Sequence, residues 1–238
     1  PVEAEIGRYY ETPDYISHSD THKGLMNRVY HWVRRVMLAR KARLVKHNSR
    51  LSQGSLLDIG TGTGYFPHFM QERGWHVSAI EKSPQARQFA KEHFELDVAA
   101  PEALNEFADK SFDVITLWHV MEHLEHLDET WETLKRILKD QGILIIAVPN
   151  PTSFDAEKYK EMWGAYDVPR HLWHFSPSVM QQFGAKHDFI LCERHPMPFD
   201  AFYVSMLTER YKGSRLSFLK GMWTGLLAWF SSLAKKER

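Results

Sequence analysis

From residue 55 to about residue 195, the chain alternates short apolar runs with stretches of helical period. That alternation predicts a parallel sheet with crossover helices. Apolar runs at 55–60, 75–81, 94–98, 112–118, 143–148 and 189–195 predict six strands. Helical patterns fill 65–73, 83–93, 128–139 and 176–186, with Gly74 and Gly142 as stops and Ser83-Pro84, Asp128 and Ser176-Pro177 as starts. The run at 143–148 is apolar on both faces, as a central parallel strand requires.

The ends read differently. Residues 1–24 lack periodicity and hold Tyr9, Tyr10, Tyr15, His18 and His22, which suits a surface arm or a segment lying over a ligand. Residues 27–47 predict a helix with Val29, Val33, Val36, Met37 and Leu44 on one face and Arg34, Arg35, Arg40, Lys41, Arg43 and Lys46 on the others. Such basic residues are expected to be a solvated face, with contact to an acidic surface the sharper reading. The tail from 198 predicts helix, with Leu216, Leu219, Met222, Trp223, Leu226, Leu227, Phe230 and Leu233 on one side. The expected organisation is an arm and basic helix at 1–50, a core at 51–197 and a helical tail at 198–238. Between 149 and 175 runs a long connection rich in aromatics and histidine, which points to function rather than disorder.

Composition adds bounds. The 238 residues carry 30 Lys+Arg against 30 Asp+Glu, so no polyelectrolyte partner is implied overall. A single cysteine, Cys192, excludes an internal disulfide and fits a reducing compartment. No apolar run approaches the ~20 residues that span a bilayer, and the first residues lack a signal pattern. The expectation is a cytoplasmic protein, monomer or homodimer.

The candidate chemistry starts at Asp58-Ile59-Gly60-Thr61-Gly62-Thr63-Gly64-Tyr65. Glycines at alternate positions let backbone N–H groups approach a ligand that a Cβ would block, and the following helix aims its N-terminus at the same place. A dinucleotide motif wants G-x-G-x-x-G, and Tyr65 stands where its last glycine belongs. A P-loop fails for want of Gly-Lys-Ser/Thr. Asp58 would repel a pyrophosphate but suits a cationic amino group. Glu81, at the end of the second strand, offers an acceptor for ribose hydroxyls, a feature that dinucleotide sites share.

Asp58 with Gly60, Gly62 and Gly64, followed by Glu81, resembles the first motifs of the class I S-adenosylmethionine (SAM) dependent methyltransferases. The likeness extends over about residues 50–195. The run 112–124, through Trp118 and His119, resembles the family's fourth motif, and 167–176 resembles a bacterial small-molecule-type subgroup. The resemblance implies a doubly wound, Rossmann-like α/β fold, mainly parallel, with helices on both faces. It implies SAM as methyl donor and S-adenosylhomocysteine as product. It implies cofactor contacts from Asp58, Gly60, Thr61, Gly62, Gly64, Tyr65, Glu81, Lys82, Ala99, Ala100, Trp118 and His119. Ala201–Leu207 is a weak match to the family's seventh strand, Asp200 and Gly213 favouring helix there, so the expectation is either a six-stranded sheet or a natural chain that continues beyond Arg238.

Methyl transfer from a sulfonium is an in-line displacement with a neutral leaving group. Positioning therefore dominates, worth up to ~7–11 kcal/mol. Aromatic faces such as Tyr65, Trp118 and Tyr10 favour the sulfonium by roughly 0.5–2 kcal/mol. Substrate candidates are Tyr10, Tyr166, Asp167 and Arg170, whose fork suits a carboxylate or phosphate, unless it pairs internally with Asp167. His171 or His174 is the candidate base where the acceptor must lose a proton. His119, His123 and His126 are spaced to share a helix face, but no metal is expected. The function read from this is methyl transfer to a small molecule or metabolite through O, N or C. The alternative is an idle SAM-binding module. A nucleic-acid methylase is disfavoured, because no Asn-Pro-Pro-Tyr-like box follows the fourth strand. For the tail three readings stand: packing on its own domain, a dimer contact or lid, and peripheral contact with a membrane.

Overall fold

The structure, a computed structural model, describes residues 25–235. They fall into two compact units, 25–147 and 148–235.

The first unit opens with helix α1 (Leu25–Ser49) and continues β1 (Ser55–Ile59), α2 (Tyr65–Gln71), β2 (His76–Ile80), α3 (Pro84–Phe94), β3 (Phe112–Trp118), α4 (Leu127–Ile137) and β4 (Leu138–Ala147). The strands form one parallel sheet in the order β2-β1-β3-β4. β1 and β3 are buried along nearly their whole length, with Leu56, Leu57, Val114, Ile115 and Leu117 wholly inside. This is the doubly wound, Rossmann-like arrangement expected of the pattern. Helix α1 packs on α2, β3 and β4, and α4 on β4. Ser83 caps α3 by accepting from the Ala86 N–H, as the Ser-Pro start predicts.

Four expectations change. The run at 143–148, expected to be central, lies in β4 at one side of the described sheet, where residues 143–146 are only half-buried because no described strand pairs beyond it. The strand expected at 94–98 is only a single parallel bridge, Ile80 to Ala99, with Ala99 N–H donating to Ala79 O and Glu81 N–H to Ala99 O. Helix α3 persists to Phe94 and Glu95 caps it in the left-handed region, so few residues remain before Pro101, which lacks an N–H. The run at 189–195 makes no strand. Ile190 stands 87% exposed, and β-propensity is expressed only where a partner strand exists. The helix expected to reach 139 stops at Ile137, and β4 begins at once at Leu138, with an irregularity in its register against Phe112–Val114.

At the other end of the sheet from the glycine turn, Asp113 ties three strands. It accepts from the Ser55 N–H and hydroxyl (both 2.8 Å) and from Lys139 Nζ (2.8 Å). Burial tends to raise its pKa, but these donors outweigh that and hold it below the usual carboxylate value.

The second unit holds α5 (Phe154–Tyr159), two 3₁₀ turns at Lys160–Met162 and Gly164–Tyr166, then α6 (Pro177–Lys186), α7 (Pro198–Tyr211) and α8 (Ser217–Lys235). The tail is helical as expected. Ala156, Tyr159, Trp163 and Ala165 form a small core with Tyr166 and Val204 around it. Four of its hydrogen bonds tie polar groups together inside it: Trp163 Nε1 donates to Asp155 (2.7 Å), the Gly164 N–H to Thr208 Oγ1 (2.8 Å), and Tyr159 and Lys158 to Thr224 Oγ1 (3.1 and 2.6 Å).

Candidate functional site

The glycine turn leaves β1 at its carboxyl end, where parallel α/β sheets bind ligands. Gly60, Gly62 and Gly64 all have positive φ (68°, 58° and 83°), a region closed to most side chains. Their surroundings differ. A Cβ on Gly60 would collide with Val120, and one on Gly64 would lie 2.9 Å from Ala90 Cβ. A Cβ on Gly62 would meet no atom of a described residue within 4 Å. Gly60 and Gly64 are therefore glycine for packing, and Gly62 faces space that no described residue fills. Gly60 and Thr61 anchor the turn to β2 by donating to Ile80 O at 2.8 and 3.0 Å.

Asp58 sits at the end of β1, opposite Thr116 on β3 and Ala79 on β2. It is 1% exposed. Burial is the main influence on its carboxyl and pushes its pKa up to about 6, against the opposing help of the Thr116 and Thr61 hydroxyls and the Lys41 charge. The Thr116 hydroxyl donates to Asp58 Oδ1 at 2.6 Å. A carboxylate this dry gains most from a cation brought to it.

Glu81 follows β2. Its Oε2 accepts the Gly62 N–H at 2.7 Å, and Oε1 accepts the Ser83 N–H at 2.8 Å. An ionised carboxylate has about four acceptor positions, of which described residues occupy two. Ala99 makes the bridge beside β2 and Ala100 follows it, both half-buried. Lys82 is exposed and within 3.9 Å of Glu125.

After β3 the chain turns sharply. His119 has φ 59°, unusual for a non-glycine residue, and its N–H donates to Ala147 O at 2.9 Å. That turn brings Val120 against Gly60. His119 Nδ1 stands 3.7 Å from Glu122, whose carboxylate is 1% exposed with neither oxygen accepting from a described residue. Trp118 is buried edge-on to Phe66 (centroids 5.7 Å), and its indole N–H has no described acceptor.

The basic helix is not simply a solvated face. The Arg34 guanidinium lies 3.9 Å from the Tyr65 ring centre, and Lys41 Nζ lies 4.6 Å from that of Trp118. Arg34, Lys41 and the fully buried Val45 are spaced i, i+7 and i+11, so they share one stripe of α1. The sequence reading put the two cations on the outer faces. The signal that finds them is their helical spacing, four and eleven residues, from Val45, which hydrophobicity alone hides.

The candidates in the second unit form a cluster of their own. Arg170 pairs internally: Nη2 and Nε donate to Asp167 Oδ1 at 2.6 and 3.1 Å. His171 Nδ1 donates to Ala165 O (2.8 Å), and its Nε2 is 3.8 Å from Asp167. His174 Nε2 donates to Tyr166 O (3.1 Å), with the Tyr166 ring edge-on to it at 5.2 Å. Tyr10 lies outside the described residues.

A protein-family model described as a methyltransferase domain matches residues 29–192. A methyltransferase of Staphylococcus carnosus, itself uncharacterised, is 33% identical over 112 residues, 46% of this chain and 53% of that protein. A ubiquinone biosynthesis O-methyltransferase of Pelagibacter ubique is 35% identical over 104 residues, 41% of this chain and 42% of that one. The chain thus spans about half the length of the curated relatives it matches. In fold it is similar to a SAM-dependent methyltransferase of Archaeoglobus fulgidus, with a TM-score of 0.54, 21% identity and coverage of 76% of this chain and 86% of that one.

Proposed function

Since the chain belongs to the methyltransferase-domain family, we propose that it transfers a methyl group from SAM to a small-molecule acceptor at O, N or C. The observation that carries this reading is the space in front of Gly62, which no described residue fills, flanked by the buried Asp58 and by Glu81, which accepts two hydrogen bonds from described residues. The residues fit the cofactor. Gly62 leaves a cradle that a Cβ would fill, Asp58 suits an ammonium, and Glu81 suits a pair of ribose hydroxyls. Thr61, Gly64, Tyr65, Lys82, Ala99, Ala100, Trp118 and His119 would complete its surroundings. The cofactor supplies an electrophilic methyl on a sulfonium sulfur.

The protein's own part is to bind, orient and manage protons. The turn from Gly60 to Gly64 presents backbone at the mouth of β1, and Asp58 holds a cation in a dry setting. Lys41, over Trp118, adds positive charge on the same side and suits a carboxylate. In the second unit Tyr166, Asp167 and Arg170 are proposed to meet the acceptor. A histidine whose one nitrogen donates to a carbonyl keeps the other as the basic site when neutral. His171 is so held, with Nε2 facing Asp167, and His174 is held likewise on the exposed side. Either could take a proton from an acceptor hydroxyl or ammonium.

The experiment is incubation with methyl-labelled SAM and a fractionated metabolite extract. Label transferred to a small molecule by the parent, and lost with Glu81→Ala, is expected. Binding of S-adenosylhomocysteine without transfer to any fraction would favour an idle binding module instead.

A further inference from the structure

The last helix of the second unit is built inside out. Its buried stripe is Gly221, Thr224, Gly225 and Ala228, spaced i, i+3, i+4 and i+7. This stripe faces α7 so closely that a Cβ at Gly221 would lie 2.5 Å from Met206 Cα, and one at Gly225 would collide with Phe202. The large apolar side chains point the other way. Phe218, Leu219, Trp223 and Phe230 are each about 60% exposed, with Met222 and Trp229 exposed beside them. A helix of a water-soluble domain normally buries such residues and exposes the small and polar ones. A contiguous apolar surface of this kind marks an interaction site.

Charge identifies the occupant. Residues 210–238 hold seven basic side chains against one acid, Glu237, in a chain balanced at 30 and 30. Arg210, Arg215 and Lys220 are exposed around the apolar surface. A second copy of the chain on this surface would set like charges face to face, which is costly. An anionic bilayer answers both features, with acyl chains for the aromatics and headgroups for the cations. Exposed Trp and Tyr side chains, here Trp223, Trp229, Tyr203 and Tyr211, are those that favour the headgroup level. Among the described residues no helix is long and apolar enough to cross a membrane, which fits a helix lying along the surface.

We propose that the α7–α8 hairpin docks the protein on an anionic membrane surface, with α8 in the interfacial plane and its large apolar side chains inserted. This does not depend on the methyl-transfer reading.

The test is co-sedimentation of the full chain with vesicles of phosphatidylcholine alone or with about a third phosphatidylglycerol. Partition onto the anionic vesicles at least tenfold above the zwitterionic ones is expected, falling as salt rises. The variant Phe218→Ser/Trp223→Ser/Phe230→Ser should lose at least tenfold in partition with its circular dichroism and melting midpoint unchanged. Arg215→Glu/Lys220→Glu should lose the anionic preference. Equal partition onto both vesicles, or partition that the folded triple variant retains, overturns the proposal. So does a parent dimer in solution that ignores vesicles and that the triple variant dissolves. Should the triple variant not fold, the salt dependence of the parent decides: partition indifferent to salt rejects the proposal.

Discussion

Gly62 donates its backbone N–H to Glu81 Oε2 at 2.7 Å, so the middle of the glycine turn and the end of β2 are held as one piece. The same carboxylate caps the start of the next connection through the Ser83 N–H. Glu81 therefore has a structural task and a proposed ligand task at once. Glu81→Ala should lower stability by about 1–2 kcal/mol, the usual cost of losing such bonds. It should weaken S-adenosylhomocysteine binding far more, by at least tenfold. Calorimetric titration alongside thermal unfolding checks the split; a binding loss no larger than the stability loss would remove Glu81 from the ligand.

The glycines allow a sharper separation. Gly62→Ala meets no atom of a described residue, so its stability cost is expected to be that of a left-handed alanine, about 1–2 kcal/mol. Gly60→Ala adds a collision with Val120 and should cost several kcal/mol more. Yet Gly62→Ala places a methyl in the open cradle and should reduce cofactor affinity by at least tenfold. Urea unfolding of both variants, with ligand titration of Gly62→Ala, measures the two effects independently.

Two aspartates should impose opposite pH slopes. Asp58, with its pKa raised by burial to about 6, binds a proton more tightly folded than unfolded. Its effect therefore destabilises the fold as pH rises from about 4 to about 6, by roughly 3 kcal/mol in all. Asp113, held below the usual value despite its partial burial, does the reverse: its contribution is present above the ordinary pKa and is lost as pH falls. Asp58→Asn should flatten the first slope and raise stability near neutral pH, while binding of S-adenosylhomocysteine falls at least tenfold. Asp113→Ala should lower stability by about 2–3 kcal/mol with binding unchanged, because the bonds it makes lie at the far end of the strands. Denaturant midpoints across pH, for the parent and both variants, provide the comparison.

Much of the first unit was legible because its signals are local. The Asp-x-Gly-x-Gly-x-Gly run needs only backbone sterics, and the Ser83-Pro84 start needs only a cap. Strand ends were harder. Leu138 begins β4 where helical period still runs, because pairing with Phe112 outweighs local preference. The run at 94–98 carries strand composition but is cut short between the Glu95 cap and Pro101. Arg34 and Lys41 were hidden for another reason. Their role depends on how α1 is rotated against the sheet, and a cation on a buried stripe leaves no trace in a hydrophobic pattern. In the second unit the internal pairing of Arg170 with Asp167 was one of two stated readings, and charge and spacing alone did not choose between them.

Lys41 offers the last test, since its charge acts on Asp58 through space. It favours the Asp58 carboxylate while lying over Trp118. A cationic ligand group at Asp58 requires the ionised form, so S-adenosylhomocysteine affinity should rise with pH up to about 6 and then level. Below that point, binding should release a proton, visible as a buffer-dependent heat. Lys41→Met removes the favouring charge, so the pH at which affinity levels should move upward. Lys41→Arg, which keeps the charge, should leave that pH in place even if the packing on Trp118 changes. Affinity measured by titration calorimetry from pH 5 to 8 in two buffers separates these outcomes. A levelling point common to all three proteins would show that Asp58 and Lys41 are not coupled in binding.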